Sequence, residues 1–165
     1  MSGFLSAALR PERARSSGRP GWVTVVGPHR SGRTALLLTL SGRAHADAGT
    51  LKVAGLVAPV RAPDIRRRVA VASLTRRTDP AGELRQTFTA RSPIVVVDDL
   101  DAVSDPVLRA QVRDEIASAR HRAAGEGREL TLVVSCLDLT ALAALVPAGD
   151  PLTTLQLTPA LEKVH

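Results

Sequence analysis

A short β-branched segment that breaks into a glycine-bounded loop constrains this chain more than any other feature. Residues 22–34 read Trp-Val-Thr-Val-Val-Gly-Pro-His-Arg-Ser-Gly-Arg-Thr. A strand, such a loop and then a helix direct several backbone N–H groups and the positive end of a helix at one place, which suits a phosphate group. We therefore predict that residues 27–34, the phosphate loop, bind phosphate. The competing interpretation is a glycine-rich turn that only joins a strand to a helix.

The residues of the phosphate loop differ in what they contribute to this prediction. Gly27 and Gly32 have the spacing of the two glycines in the phosphate-binding P-loop motif. The hydroxyl of Thr34 is a candidate ligand for Mg²⁺. Arg33 stands where lysine is expected and keeps the positive charge on a longer, planar group. Arg30 stands where glycine or asparagine is common, so a left-handed conformation there would be strained. The candidate nucleotide-binding set is Gly27, Pro28, His29, Arg30, Ser31, Gly32, Arg33 and Thr34.

Two carboxylates follow the most apolar strand that the sequence predicts. Residues 94–97 read Ile-Val-Val-Val and lead directly into Asp98 and Asp99. A phosphate site of this type needs a carboxylate at the end of a buried strand to hold Mg²⁺. We therefore predict Asp98 as a metal ligand and Asp99 as the residue that polarises an attacking water. The alternative for Asp99 is a solvated carboxylate that caps the end of a strand.

The composition indicates one α/β domain. The chain has 165 residues, 44% of them hydrophobic and only 2% aromatic. Such a core is built from Val, Leu, Ile and Ala, as in parallel sheets covered by helices on both faces. We predict a flexible arm over residues 1–20 and a single domain over residues 21–160.

The charge and the cysteine content narrow the function classes. The formal net charge is +6, and only Lys52 and Lys163 are lysines. We expect no nucleic-acid partner, because stacking aromatics are scarce and no nucleic-acid module is recognisable. The single cysteine, Cys136, is expected to be a small core residue, in keeping with a cytoplasmic protein. His29 and His45 are expected at the surface rather than on a metal.

The three consecutive arginines, Arg66 to Arg68, have two readings. The default is a solvated run of charge, and the alternative is a contact with a phosphate or a lipid headgroup.

The hydrophobic pattern predicts alternating strands and helices. Strands are expected over residues 22–26, 50–57, 69–73, 94–97, 130–135 and 152–157. Helices are expected over residues 34–43, 81–90, 138–145 and from 105 to about 124, with a helical turn through 66–68 capped by Asp64. In the long helix, Asp105 and Pro106 form a strong start. Its buried face is predicted to carry Leu108, Val112, Ile116 and Ala119.

Taken in order, these segments resemble the ATP-binding cassette (ABC) of transporter ATPases. The phosphate loop looks like a degenerate Walker A motif, and residues 94–99 look like Walker B. Residues 48–55 are similar to the segment after Walker A, and residues 65–73 to the approach to the glutamine loop. Ser104-Asp105-Pro106 falls at the D-loop spacing, and residues 132–138 resemble the switch-histidine strand. The colinear order over residues 20–140 is more specific than any single motif.

The resemblance implies a three-layer P-loop NTPase-like fold, ATP and Mg²⁺ as ligands, and a membrane permease or a fuller ABC subunit as partner. It also implies a cytoplasmic protein held at the inner face of the membrane through that partner. The chain departs from the family in that Leu137 replaces the switch histidine, Asp99 replaces the catalytic glutamate, and the glutamine expected near Ser73 is absent. Only about twenty residues stand where the family inserts a helical subdomain with its signature sequence. Efficient hydrolysis is therefore not expected.

Two other functions compete with an ABC-type nucleotide-binding protein. One is a scaffold or interaction protein that keeps the fold without binding nucleotide. The other is a small nucleotide kinase, in which the strand before the phosphate loop would lie next to the Asp98 strand. For the ABC-like fold we predict the strand order 152–157, 22–26, 130–135, 94–98, 69–73.

Overall fold

The computed structural model describes residues 21–46, 51–143, 145–147 and 150–158. The predicted arm over residues 1–20 and the last residues of the predicted domain lie outside this part of the chain. The strands are β1 (Trp22–Val26), β2 (Leu51–Val53), β3 (Leu56–Ala58), β4 (Val69–Ser73), β5 (Ile94–Asp98), β6 (Thr131–Cys136) and β7 (Leu152–Gln156). The helices are α1 (Arg33–Leu40), α2 (Ala62–Arg68), α3 (Pro80–Thr89), α4 (Pro106–Gly125) and α5 (Thr140–Ala143), with a 3₁₀ turn at Leu100–Ala102.

Five strands form one parallel sheet in the order β4-β5-β6-β1-β7. This is the predicted order, with β6 between the strand that enters the phosphate loop and the strand that ends in Asp98. The arrangement expected of the kinase, in which β1 would pair with β5, is not found. The fold class predicted from the sequence is thus confirmed as a mainly parallel α/β sheet with flanking helices.

The central strands β5, β6 and β1 are buried on both faces, as their mostly aliphatic sequences require, whereas the edge strand β7 is mostly exposed. On one face Trp22, Val95 and Leu132 pack with Leu84 of α3 and Ile116 of α4. On the other face Val25, Val96 and Val133 pack with Leu37 of α1 and Ile65 of α2. Because helices cover both faces, the ends of the strands are where polar side chains of the sheet can reach solvent and ligands.

Helix α4 begins where the sequence predicts. The carboxylate of Asp105 accepts hydrogen bonds from the backbone N–H groups of Val107 and Leu108, at 2.8 and 2.9 Å. Pro106 occupies the first turn, where no N–H donor is needed. The buried face of the helix consists of Val112, Ile116, Ala119 and Ala123, with Leu108 partly buried.

Two local predictions were wrong. The strand expected over residues 50–57 is an antiparallel hairpin of β2 and β3, because Ala54 and Gly55 both adopt positive φ, at 47° and 80°. Two such residues in succession form the tight turn typical of a two-residue hairpin. Asp64 does not cap α2, since the helix begins before it, with Arg61 at the cap position. The Asp64 carboxylate instead pairs with the side chains of Arg61 and Arg67.

The connection between β4 and β5 is short. It contains one helix, α3, whose N-terminal Asp79 accepts a hydrogen bond from the Gly82 N–H at 2.7 Å. The segment is described throughout and leaves no room for a further subdomain, in agreement with the sequence analysis.

Candidate functional site at the carboxyl end of the sheet

The phosphate loop leaves β1 at the carboxyl edge of the sheet and turns into α1. The Gly27 N–H donates to the carbonyl of Cys136 at 3.3 Å, which continues the β1–β6 pairing by one residue. The Ser31 N–H then donates to the Pro28 carbonyl at 3.2 Å and closes a tight turn. In open parallel sheets, ligands bind outside this edge of the strands.

The loop turns tightly enough to require unusual backbone conformations. Gly32 has a φ of 89°, and Arg30 has a φ of 63°. The position of Arg30 in the loop predicts backbone strain, and its positive φ agrees with this, because a side chain is disfavoured in the left-handed region. The side chains of Pro28, His29 and Arg30 are exposed and lie on the solvent side of the loop.

Backbone donors without an acceptor in the described structure lie at the start of α1. The first hydrogen bond of the helix runs from the Leu36 N–H to the Gly32 carbonyl, at 2.9 Å. Among the described residues, no acceptor is found for the N–H groups of Arg33, Thr34 and Ala35. Such a group of donors at a helix N-terminus is suited to an anion.

Thr34 and Asp98, the two predicted metal ligands, lie together. The Thr34 Oγ1 donates to Asp98 Oδ2 at 2.8 Å, and Ser135 Oγ donates to Asp98 Oδ1 at 2.6 Å. Asp98 is only 7% exposed, and Ser135 is fully buried. Thr34 is exposed, so the pair is reached from solvent on the loop side.

Ser135 links the two carboxylates, a role that the sequence analysis missed. Its Oγ donates to Asp98 and also accepts a hydrogen bond from the Asp99 N–H, at 2.8 Å. The only signal in the sequence is a serine at the end of the apolar run Leu132-Val133-Val134. A buried hydroxyl in such a position needs a polar partner, and the adjacent strand supplies one.

Arg33 takes an unexpected position. Its side chain is buried, at 7% exposed, and Nη2 lies 3.3 Å from Asp99 Oδ1. The other carboxylate oxygen of Asp99 accepts a hydrogen bond from Thr75 Oγ1 at 2.7 Å. Thr75 lies in the loop after β4, and nothing in the sequence pattern pointed to it. Asp99 itself has a φ of 53°.

Two buried polar atoms in this region have no partner. Arg33 Nη1 and Ser31 Oγ are both inaccessible and form no hydrogen bond within the described structure. Leaving such groups unpaired is costly, and a buried guanidinium is especially costly. The unpaired N–H groups at the start of α1 fit an anionic group, and the oxygens of Thr34 and Asp98 fit a hard divalent cation.

The remaining chemistry-bearing residues take structural or surface roles. Burial raises the pKa of the Cys136 thiol to about 12, with a smaller contribution from the negative charge of Asp101. Asp101 itself accepts a hydrogen bond from the Leu137 N–H at 2.6 Å. His29 and His45 are exposed, as predicted. Among the described residues, no group of three His, Cys, Asp or Glu side chains forms a metal site.

Comparison with known proteins agrees with the resemblance seen in the sequence, although no family model matches the chain. The Nod factor export ATP-binding protein I of Burkholderia orbicola (strain AU 1054) is 33% identical over 109 residues. That alignment covers 65% of this chain and 34% of the relative, so the chain spans about a third of the length of the curated protein that it matches.

Several solved structures share the fold. The ATP-binding subunit of an ABC transporter superposes with a TM-score of 0.58 at 11% identity, over 83% of this chain and 74% of the other. The bacterial ABC transporter cassette MJ0796, solved as a dimer, gives 0.57 at 10% identity, over 85% and 82%. The protein cbiO1 from Clostridium perfringens, part of the ABC transporter complex cbiONQ, gives 0.56 at 8% identity, over 77% and 71%.

The parallel sheet and the loop at its carboxyl edge define a P-loop-type α/β domain. Within that class, the chain has the fold of the ATP-binding cassettes, and its resemblance to the ATP-binding proteins of ABC transporters is confirmed by the sequence relative and by the structural neighbours. No helix in the described part of the chain has the length and apolar character that crossing a membrane requires.

Proposed function

We propose that this chain is a reduced, degenerate ABC-type ATP-binding protein that holds ATP and Mg²⁺ at the phosphate loop. The observation that carries the proposal is the hydrogen bond from Thr34 Oγ1 to Asp98 Oδ2, at 2.8 Å. It joins a hydroxyl of the phosphate loop to a carboxylate 64 residues away in the chain. These are the oxygen ligands that Mg²⁺ prefers when it also binds phosphate oxygens.

The proposed roles of the other residues follow from their surroundings. Residues 27–34 would surround the phosphates with backbone N–H groups. Arg33 would supply positive charge near them, because it follows Gly32 directly and its ion pair with Asp99 leaves Nη1 without a hydrogen bond in the described structure. A bound Mg²⁺ supplies neutralisation of the phosphate charge. Asp99 is proposed as a residual base, although its carboxylate is now occupied by Arg33 and Thr75.

Efficient hydrolysis by this chain alone is not part of the proposal. Between β4 and β5 the chain has only α3, where the resembling family carries its signature sequence. Leu137 and Asp99 stand in place of two residues that the family uses in catalysis. Two copies of this chain would therefore lack groups that stabilise the transition state. A fuller cassette or a membrane permease is the proposed partner, which would hold the chain at the cytoplasmic face of the membrane.

Titration of a fluorescent ATP analogue, with and without Mg²⁺, tests the proposal. We expect saturable binding that depends on the metal and that weakens about tenfold or more in Arg33→Ala, since a charge-assisted contact is lost. Arg113→Ala is the matched control, because Arg113 is exposed on α4 and contacts only its neighbour Asp114 among the described residues. Absence of binding at millimolar nucleotide, or equal binding by both variants, would contradict the proposal.

The second candidate is a scaffold that keeps the fold without binding nucleotide. The ion pair between Arg33 and Asp99 favours it, because the guanidinium already has one carboxylate partner. In that case Arg33→Ala would lower the free energy of unfolding, and ATP would leave the melting temperature of the wild type unchanged. A rise in melting temperature with Mg²⁺ and ATP would exclude the scaffold, because a ligand that binds the folded state stabilises it.

A further inference from the structure

A cleft lies at the opposite end of the sheet from the phosphate loop. It opens beside the start of the edge strand β4 and has a volume of about 380 Å³. Its wall includes Arg43, Arg66, Arg67, Val69, Gln86 and Ser92. Val69 pairs with Ile94 at one end of the sheet, whereas Asp98 ends β5 at the other, a separation of roughly 13 Å along the strand. The cleft is therefore separate from the candidate nucleotide site.

Two arginines of this cleft are held in place by the main chain. Nη1 of Arg43 donates to the carbonyls of Ser41 and Val69, at 3.1 and 3.2 Å. Nε of Arg66 donates to the carbonyl of Gly42 at 2.6 Å. These contacts use only part of the five N–H donors of each guanidinium. The groups are thus positioned in advance, with donors left over.

The same two arginines have no carboxylate partner among the described residues. Arg67 differs from them, because it pairs with Asp64. Partial burial lowers the pKa of Arg43, and the positive charge of the nearby Arg66 lowers it further. Both side chains are exposed, so two positive charges are presented to solvent at the wall of the cleft. An anion bound there would be attracted by both.

We propose that the cleft beside Arg43 and Arg66 binds a phosphate group, carried either by a soluble phosphate ester or by an anionic lipid headgroup. Guanidinium groups suit phosphate because their planar N–H pairs match two of its oxygens. Gln86 and Ser92 add neutral hydrogen-bonding groups to the wall. The volume is that of a small-molecule site. The proposal is independent of nucleotide binding and gives Arg66 a role that the rest of the function leaves open.

Titration with inorganic phosphate at low ionic strength, followed by the backbone amide resonances of the ¹⁵N-labelled protein, tests the cleft site by site. We expect saturable shifts at Val69 to Val71 and a loss of affinity of about tenfold in Arg66→Gln. Arg113→Gln, which removes the same charge from an exposed position, should bind as the wild type does. Shifts confined to the phosphate loop, no shift at millimolar phosphate, or equal weakening in both variants would overturn the proposal.

A further variant separates the charge of Arg66 from the planar geometry of its N–H donors. Arg66→Lys keeps the charge but loses the planar pair of donors, so we expect an affinity between those of the wild type and Arg66→Gln. Melting temperatures of all variants report whether the fold is intact. If folded Arg66→Lys and Arg66→Gln bound inorganic phosphate with equal affinity, the positive charge at this position would contribute nothing, which would overturn the proposal. The amide shifts at Val69 to Val71 are independent of the ATP titration of Arg33→Ala, so the two proposals can fail separately.

Vesicles distinguish the two sources of the phosphate. Co-sedimentation with phosphatidylcholine vesicles, with and without phosphatidic acid, is compared for the wild type and Arg66→Gln. Binding that requires both phosphatidic acid and Arg66 identifies a lipid headgroup. Phosphate shifts at the cleft without sedimentation identify a soluble ester. Binding to neither overturns the proposal.

Discussion

Ser135 shows how one small side chain organises the candidate site. Its hydroxyl lies on the strand between β1 and β5, donates to the Asp98 carboxylate and accepts from the Asp99 N–H. The Ser135 hydroxyl and the Asp98 carboxylate are both buried at the carboxyl end of the sheet. Because burial removes water as an alternative partner, each bond of the serine replaces one that solvent cannot supply.

Replacement of Ser135 by alanine should therefore be costly. We expect Ser135→Ala to lower the free energy of unfolding by about 2 kcal/mol, because it leaves the Asp98 carboxylate and the Asp99 N–H short of partners. Urea unfolding measures the effect. Ser118→Ala, on the exposed face of α4, should change it by less than about 0.5 kcal/mol. Equal effects of the two substitutions would show that the serine does not support the site.

Arg30 offers a test of strain in the phosphate loop. Its φ of 63° is disfavoured for any residue with a Cβ atom, whereas glycine adopts it freely. We expect Arg30→Gly to raise the free energy of unfolding by up to about 1 kcal/mol. Arg113→Gly, within the regular helix α4, should lower it by about 1 kcal/mol. A loss of stability in Arg30→Gly would mean that the side chain of Arg30 makes a contribution larger than the strain.

At the scale of elements, predictions succeeded where a residue type had one local role. Asp105 and Pro106 can begin a helix and do so, and the run Ile94 to Val97 can only be a buried strand. Residues 50–57 failed because the two-residue turn at Ala54 and Gly55 lies inside an otherwise strand-like pattern. Positive φ at alanine carries no sequence signal of its own.

The N-terminal cap of α4 contributes to stability by an amount that can be measured. We expect Asp105→Ala to lower the free energy of unfolding by about 1 kcal/mol, because two backbone N–H groups lose their acceptor. Asp114→Ala removes the same charge from the exposed middle of α4 and should have a smaller effect. Chemical denaturation compares the two. Similar losses would assign the effect to net charge rather than to capping.

At the scale of the whole molecule, the sheet order was predictable and the pairing of charges was not. The order followed from the resemblance of the colinear motifs to the ATP-binding cassettes, and the crossover rule added only that the strands run parallel. Thr34 and Asp98 were predicted as metal ligands of one site, and they lie together. The ion pair between Arg33 and Asp99 was not predictable, because residues 66 apart in sequence meet only through packing of the complete sheet. Thr75 and Ser135 were missed for the same reason.

Alkaline pH should destabilise the folded protein through its one thiol. The pKa of Cys136 is raised from an ordinary 9.0 to about 12, so the unfolded chain loses its proton first and stability falls as pH rises between these values. From about pH 8 to about pH 10.5 we expect a loss of roughly 2 kcal/mol. The chain has no tyrosine, which leaves the range unusually free of other titrations. Cys136→Ala should show a much flatter pH profile in urea unfolding, and a parallel profile would contradict the assignment.

The surroundings of Gly27 tie the phosphate loop to a distant part of the chain. A Cβ atom added at Gly27 would lie 3.0 Å from the carbonyl oxygen of Leu157. The N–H of Leu157 donates to the Val26 carbonyl at 2.7 Å. The segment that packs against Gly27 is thus 130 residues further along the chain. During synthesis, a nascent chain that has emerged only as far as β6 would still lack this contact of the phosphate loop.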